Sequence, residues 1–224
     1  MKDTISTIKK LIFKIFNKKQ INTAKKYNFS VDNFSSRIPL WEKILQKFKG
    51  KPNIHYLEIG LFEGKSFLWM LENILTHPTS TATGIDPFTK TKTYPLYRSL
   101  EYEKFFYKNL KISGLNKKTK IIKGFAQVEL KKLPHNFYDI IYIDGDHSAN
   151  AVLINAVLCW FLLKKEGILI FDDYLWKMDE LPAYKRPKDA IDCFTETYKD
   201  YLSVIHKGYQ CIIQKKDYFY WEKK

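Results

Sequence analysis

Two hydrophobic runs that end in aspartate most constrain what this chain can fold into. One run, 138–143, ends at Asp144, and the other, 168–171, ends at Asp172 and Asp173. Buried parallel strands have continuous apolar sequences, and open α/β sheets place ligands at the carboxyl ends of such strands. The three aspartates are therefore expected at one edge of a sheet. Crowded carboxylates repel one another unless a cation neutralises them, so the sequence predicts a site for a divalent ion such as Mg²⁺.

Strand-like and helix-like segments alternate along most of the chain. The predicted strands before the C-terminal region are 54–59, 82–85, 120–123, 138–143 and 168–171. Helical periodicity between such strands predicts an α/β fold with a Rossmann-like, doubly wound and mostly parallel sheet. The last two runs, Leu202–His206 and Gln210–Lys215, are separated by three residues. Two strands joined so closely must be antiparallel, so the C-terminal hairpin adds one antiparallel strand.

The N-terminal region has a different pattern, and we predict a helical extension over residues 1–50 and the α/β domain over residues 51–224. Residues 3–20 have apolar side chains at helical spacing and lysines between them, which predicts a basic amphipathic helix. One interpretation is a helix packed on its own domain or on a second subunit of a homodimer. The other is peripheral contact with an anionic membrane surface. A second helix is predicted at 38–49.

Composition and charge disfavour several classes of protein. The 224 residues carry a net charge of +14, but Arg37, Arg98 and Arg186 are the only arginines. Nucleic-acid readers commonly use arginine for bidentate contacts, so a nucleic-acid partner is disfavoured. The three cysteines show no CxxC spacing, and no run approaches the ~18 apolar residues of a membrane span. A signal peptide is not recognisable, and a reducing, cytoplasmic location is expected.

The first strand-to-helix turn has the composition of a ligand site. Glu58 and Gly60 end the strand, and Gly64 and Ser66 follow in the turn. Glycine allows a tight turn and close approach to a ligand, although close packing of helix on strand would need it equally. The spacing matches neither the GxGxxG fingerprint nor a phosphate-binding P-loop. Glu58 suits a positively charged ligand, and Asp86, at the end of the second strand, suits ribose hydroxyls.

Five motifs follow one another in order along the chain. They are Glu58-Ile-Gly60-x-x-x-Gly64, Gly84-Ile-Asp86-Pro, Gly124-Phe-Ala-Gln127, Ile143-Asp144-Gly-Asp146-His147-Ser and Phe171-Asp172-Asp173-Tyr. Their order resembles the class I S-adenosylmethionine-dependent methyltransferases over residues 54–215. Within that class the chain is most similar to the metal-dependent small-molecule O-methyltransferases of the macrocin O-methyltransferase-like branch, methyltransferase family 24, which act on sugars. That resemblance implies the sheet order 3-2-1-4-5-7-6.

The resemblance also implies roles for individual residues. Asp86 would bind the ribose of S-adenosylmethionine, and Asp144 would be both a neighbour of the methyl donor and a metal ligand. Asp172 and Asp173 would complete the site for a divalent cation, and oxygen ligands of this kind indicate Mg²⁺. The remaining cofactor residues are Glu58, Gly60, Gly64 and Ser66 at the methionine part, and Phe125, Ala126 and Gln127 at the adenine.

The candidate catalytic residues are Asp144, Asp146 and His147. In the sugar-modifying branch the second aspartate of the Asp-Gly-Asp turn is a candidate general base, which here is Asp146. Aspartate is also favoured as a cap for a helix beginning near Ala149, so a purely structural role stays open. His147 is open in the same way between a base, a metal neighbour and a structural histidine. The catechol-type relatives have a lysine where this chain has Gly145, which disfavours a catechol acceptor.

The expected function is transfer of a methyl group from S-adenosylmethionine to a hydroxyl of a sugar, a glycan or another small acceptor. Two alternatives stay open, namely a methyltransferase-like protein that binds or assembles without catalysis, and a nucleic-acid methyltransferase. The second is disfavoured because the Asn/Asp-Pro-Pro-Tyr turn typical of amino-methylating enzymes is absent after the fourth strand. The long loops 88–98 and 175–187 are expected to cover the acceptor.

Overall fold

A seven-stranded sheet forms the centre of the protein in the computed structural model, which describes residues 26–89 and 101–219. The strand order is β3-β2-β1-β4-β5-β7-β6, and β7 runs in the opposite direction to the other six strands. The predicted fold class and strand order are confirmed. The strands are β1 (His55–Ile59), β2 (Thr81–Asp86), β3 (Thr119–Lys123), β4 (Tyr138–Ile143), β5 (Leu163–Phe171), β6 (Leu202–Lys207) and β7 (Cys211–Lys215).

Helices cover both faces of the sheet. They are α1 (Ile38–Leu45), α2 (Lys65–Asn73), α3 (Glu101–Ser113), α4 (Ala126–Glu129), α5 (Ala149–Leu162) and α6 (Pro187–Thr197). The helix predicted at 38–49 ends in a short 3-10 turn, Gln46–Phe48, and a second such turn, Leu130–Lys132, follows α4. Strand β5 begins at Leu163, five residues before the predicted start at residue 168. Leu163 pairs with Tyr138 of β4, and the register of the two strands shifts between Tyr138 and Ile140. The charged residues Lys165 and Glu166, which follow Leu163 in β5, are exposed to solvent.

Two hydrophobic clusters enclose the sheet. The cluster on one face includes Trp160 of α5 and Phe194 of α6, and the cluster on the other includes Phe67 of α2 and Phe106 of α3. The second cluster also takes in buried residues from the predicted N-terminal extension, namely Tyr27, Phe34, Trp41, Leu45 and Phe48. Residues 27–48 therefore share a core with the sheet, while the domain boundary at residue 50 stays a prediction.

The register of the strands determines where the candidate site lies. Ile59 at the end of β1 pairs with Ile85 of β2 and with Ile143 of β4. Ile143 pairs in turn with Phe171 at the end of β5. The residues that follow these strands therefore meet at one edge of the sheet, as the parallel arrangement requires.

Some predictions fall on parts of the chain that the structure does not describe. The amphipathic helix at 3–20 and most of the loop at 88–98 lie outside the described residues. Among residues 26–89 and 101–219, no helix has both the length and the apolar character needed to cross a membrane.

Candidate functional site

Gly60 lets the ends of β1 and β4 come into direct contact. Its φ is +88°, and a Cβ at this position would lie 2.0 Å from the carbonyl oxygen of Asp144. The amide of Asp144 donates to the Ile59 carbonyl oxygen at 2.8 Å, and the amide of Gly60 donates to the Ile85 carbonyl oxygen at 2.9 Å. Only glycine combines this backbone conformation with so close an approach. The glycine therefore brings the Asp144 end of β4 against the first turn.

Glu58 lies beneath this turn and is fully buried. Its carboxyl group accepts hydrogen bonds from the Tyr56 hydroxyl and the Ser66 hydroxyl, each at 2.5 Å. Burial raises the pKa of Glu58 to about 8, against the opposing effect of these two hydrogen bonds. Ser66 and Gly60 line a small hollow together with Asp144, whereas Glu58 reaches that hollow only through Ser66. Gly64 begins α2 with φ +85°.

Asp86 organises the neighbouring turn through backbone amides. Its Oδ2 accepts from the amides of Leu61 at 2.8 Å and Phe62 at 3.2 Å, and its Oδ1 accepts from the amide of Phe88 at 2.7 Å. Burial raises the pKa of Asp86, and the three amide hydrogen bonds oppose this shift. A carboxylate offers about four acceptor positions, so one remains for a ligand hydroxyl.

A cleft of about 960 Å³, counting space open to solvent, runs along the edge of the sheet. Tyr102 of α3 and Asn155 of α5 form part of its wall. The cleft brings together eight of the predicted site residues, which are Gly60, Asp86, Phe125, Ala126, Gln127, Asp144, Asp146 and His147.

A group of potential metal ligands stands at the Asp144 end of the cleft. One ligand atom from each of Asp144, His147 and Asp173 lies within 4.8 Å of the others. His147 Nδ1 is 3.0 Å from Asp173 Oδ2, and the Tyr142 hydroxyl donates to Asp144 Oδ2 at 2.9 Å. Asp173 has φ +55°, a strained value for a non-glycine residue of the kind that clusters at functional sites.

The electrostatics of this group suit a divalent cation. Burial raises the pKa of Asp144 well above its ordinary value, and the charges of Asp172 and Asp173 raise it further. The hydrogen bond from Tyr142 opposes the shift. Two carboxylates and an imidazole are acceptable ligands for a hard or borderline divalent ion, which would relieve this repulsion.

Asp172 differs from the other two predicted metal ligands. Its Oδ1 accepts a hydrogen bond from Gln210 Nε2 at 2.8 Å and lies 3.6 Å from Arg37 Nε. The pKa of Asp172 is raised by burial and by the Asp173 charge, and it is lowered by Gln210 and Arg37. The structure thus groups Asp144 and Asp173 with His147, whereas Asp172 faces Gln210 and Arg37 and also hydrogen-bonds Tyr142.

Asp146 lies in the turn before α5, where the sequence left a catalytic and a capping role open. Its Oδ1 accepts from the Ser148 amide at 2.9 Å, and Ser148 is the residue immediately before α5. This hydrogen bond orders the turn without capping the helix itself. The exposed side chain also lies on the cleft wall beside His147, so a role in proton transfer stays a prediction.

Several residues of the site were missed by sequence reasoning. The Tyr209 hydroxyl donates to Asp173 Oδ1 at 2.9 Å, and the Arg37 guanidinium lies over the Tyr209 ring at 4.4 Å. Trp41 Nε1 donates to Gln210 Oε1 at 2.8 Å. Tyr142 could have been found, because it precedes Asp144 by two residues on the same strand. Arg37, Tyr209 and Gln210 are distant in sequence and carry no motif.

The sequence profile of the methyltransferase-domain family 24 matches residues 57–174, just over half of the chain. The chain belongs to this family. It is therefore a class I S-adenosylmethionine-dependent methyltransferase, and the matched segment begins in β1 and ends just after Asp172 and Asp173. An uncharacterised protein of Acanthamoeba polyphaga mimivirus is 28% identical to this methyltransferase over 169 residues, which cover 72% of this chain and 71% of the relative.

Solved structures share the fold of this methyltransferase. The O-methyltransferase from Bacillus cereus, in complex with S-adenosylhomocysteine, aligns with a TM-score of 0.60 and 16% identity over 88% of each chain. The MycE methyltransferase from the mycinamycin biosynthetic pathway, in complex with Mg, S-adenosylhomocysteine and mycinamycin VI, aligns with a TM-score of 0.58 and 14% identity. That alignment covers 87% of this chain and 53% of MycE. At these identities the two alignments establish a common fold.

Proposed function

We propose that this methyltransferase transfers a methyl group from S-adenosylmethionine to a hydroxyl of a sugar-like small acceptor, with the help of a divalent cation. The observation that carries the proposal is the approach of Asp144, His147 and Asp173 within 4.8 Å of one another at one end of the cleft. The MycE structure, which contains Mg and a mycinamycin, supports the same combination in a protein of this fold.

The cofactor would lie along the cleft between Gly60 and Gln127. The acceptor position that remains on Asp86 suits a ribose hydroxyl, and the open surface over Gly60 allows the methionine part to approach the backbone. Asp144 lines both the main cleft and the hollow beside Ser66. It is therefore the residue at which the methyl donor and the acceptor are expected to meet.

Asp144, His147 and Asp173 would hold the cation, which when bound would act as a Lewis acid and lower the pKa of the acceptor hydroxyl. Tyr142 orients Asp144, and Asp173 orients His147. Asp146, anchored by the Ser148 amide and exposed to the cleft, is the proposed acceptor of the hydroxyl proton. In-line alignment of the deprotonated oxygen with the sulfonium methyl would supply much of the rate by positioning.

Two measurements test this proposal. Calorimetric titration of S-adenosylhomocysteine should show one site of micromolar affinity. Release of S-adenosylhomocysteine from S-adenosylmethionine should then be followed with glycoside, catechol and oligonucleotide acceptors, with Mg²⁺ and with chelator. We expect activity with glycosides that chelator abolishes. Chelator-resistant activity would contradict the metal role, and activity on oligonucleotides alone would contradict the acceptor class. Cofactor binding without turnover on any acceptor would favour the binding or assembly protein.

A further inference from the structure

Asn155 of α5 is a buried polar residue whose amide oxygen the fold does not use. Its side chain is 1% exposed and lines the cleft. Asn155 Oδ1 is buried and has no hydrogen-bond partner among residues 26–89 and 101–219. Buried polar atoms are nearly always paired, because an unpaired one retains its full desolvation cost. An acceptor atom in this position is suited to a donor that arrives with a ligand.

The position of Asn155 identifies the part of the cofactor that it faces. Helix α5 packs against α4. Val152 and Ala156, which flank Asn155 on α5, belong to the same hydrophobic cluster as Ala126 of α4. Asn155 therefore lies on the side of the cleft formed by Phe125, Ala126 and Gln127, where the family resemblance places the adenine.

The chemistry of the cofactor leaves one group as the hydrogen-bond donor to Asn155 Oδ1. S-adenosylmethionine carries hydrogen-bond donors on the ribose, on the methionine ammonium and on the 6-amino group of adenine. The ribose would have Asp86 as its acceptor, and the methionine part would have the turn at Gly60 and Ser66, which lines the adjoining hollow. The base carries only the 6-amino group as a donor.

We propose that Asn155 accepts a hydrogen bond from the adenine 6-amino group and is a specificity-determining residue for the cofactor. The proposal rests on the assignment of S-adenosylmethionine to this cleft. A site built to pair with a donor rejects an analogue that lacks it, because the buried acceptor is then left unpaired. Asn155 would thus add a selective contact for adenine to the apolar walls around the base.

A second buried asparagine, Asn109 of α3, has the hydrogen bonds expected of a structural residue. Its Oδ1 accepts from the Asn28 amide at 2.9 Å. Its Nδ2 donates to the carbonyl oxygens of Asn28 at 2.9 Å and Glu63 at 3.1 Å. Asn109 ties the segment before α1 to the first turn, whereas Asn155 Oδ1 makes no such contact within the described residues. Asn109 is therefore a matched control.

The test compares the wild-type protein with Asn155→Leu and Asn109→Leu. Each would be titrated calorimetrically with S-adenosylhomocysteine and with its analogue that has hydrogen in place of the adenine 6-amino group. We expect the wild type to bind S-adenosylhomocysteine about tenfold more tightly than the analogue. Asn155→Leu should bind both ligands alike, at about the wild-type affinity for the analogue. Without ligand, Asn155→Leu should unfold at or above the wild-type temperature, and Asn109→Leu should unfold below it.

Four outcomes overturn the proposal. One is an Asn155→Leu protein that keeps the wild-type preference for the 6-amino group. Another is a loss of thermal stability in Asn155→Leu as large as the loss in Asn109→Leu, which would make Asn155 a structural residue. If Asn155→Leu does not fold, Asn155→Ala decides with the same ligands, and a retained preference rejects the proposal. Absence of S-adenosylhomocysteine binding by the wild type would instead reject the cofactor assignment, and this proposal with it.

Discussion

The two neighbouring aspartates after β5 have different environments, although the sequence presents them as a pair. Asp173 contacts His147 and Tyr209, whereas Asp172 contacts Gln210 and Arg37. We expect Asp173→Asn to reduce affinity for Mn²⁺ and methyl-transfer activity by at least about 100-fold, because it removes a ligand and the partner of His147. Asp172→Asn should reduce both by only about tenfold.

Metal affinity can be measured by electron paramagnetic resonance of free Mn²⁺, independently of turnover. Binding of S-adenosylhomocysteine serves as the control and should stay close to wild type in both variants. A larger loss of Mn²⁺ affinity in Asp172→Asn than in Asp173→Asn would reverse the proposed ranking and restore Asp172 as the dominant ligand.

Glu58 makes the stability of the protein depend on pH. Its pKa is raised from 4.5 to about 8 in the fold, mainly by burial. A carboxyl group with a raised folded-state pKa contributes its full stability below pH 4.5 and loses it as pH rises towards 8. We expect the ligand-free wild type to lose about 2 kcal/mol of unfolding free energy from this group between pH 5 and pH 7.

Urea unfolding of Glu58→Gln at the same pH values provides the comparison. The variant should lack this contribution, so its stability relative to the wild type should increase from pH 5 to pH 7. Parallel pH profiles for the two proteins would show that Glu58 titrates near its ordinary pKa in the fold.

At the scale of elements, the contact between the ends of β1 and β4 depends on a single glycine. Gly60→Ala would place a Cβ 2.0 Å from a backbone oxygen at φ +88°, so the strands would have to separate. We expect a loss of about 3 kcal/mol or more of unfolding free energy, measured by urea unfolding. Gly114→Ala is the matched control, since its φ is +72° but its Cβ would meet no described heavy atom within 4 Å. That variant should lose about 1 kcal/mol, and equal losses would contradict the packing argument.

The segment before α1 brings a cation to the edge of the carboxylate group. Arg37 lies beside Asp172 and over Tyr209, and its positive charge is expected to oppose the binding of another cation nearby. We expect Arg37→Gln to raise affinity for Mn²⁺ by about threefold to tenfold, because it removes this competing charge. Arg186→Gln, which breaks the ion pair with Asp189, controls for a general change in net charge. Unchanged or weaker Mn²⁺ binding in Arg37→Gln would show that the arginine supports the site rather than competing with a metal.

At the scale of the whole molecule, the cleft is bordered by residues from both hydrophobic clusters. Ile59 and Ala126 come from one cluster, and Tyr102 comes from the other. A ligand there should stabilise the protein as one unit. At a concentration of S-adenosylhomocysteine about 100 times its Kd, stabilisation is about 2.7 kcal/mol, so the Tm should rise by about 5–10 °C in differential scanning calorimetry. A split into two transitions, of which only one shifts, would show that the two clusters unfold independently.

The sequence by itself determined the mostly parallel sheet and the edge at which the site lies, and the family resemblance added the strand order. Strand periodicity and acidic strand ends are local signals, and a parallel sheet brings the residues after its strands to one edge wherever the chain continues. For this reason eight predicted residues line the cleft. Alternation and the family resemblance together were sufficient for the fold class.

Only the tertiary structure decided which partner each of these side chains has. Arg37 and Gln210 reach Asp172 from segments 135 and 38 positions away, and Trp41 reaches Gln210 across 169 positions. No sequence motif identified Asn155 either. It is a polar residue within an apolar stretch of α5, where a structural core residue could equally stand. Such pairings depend on how helices pack on the finished sheet, and packing depends on shape and burial across the whole core rather than on neighbours in sequence.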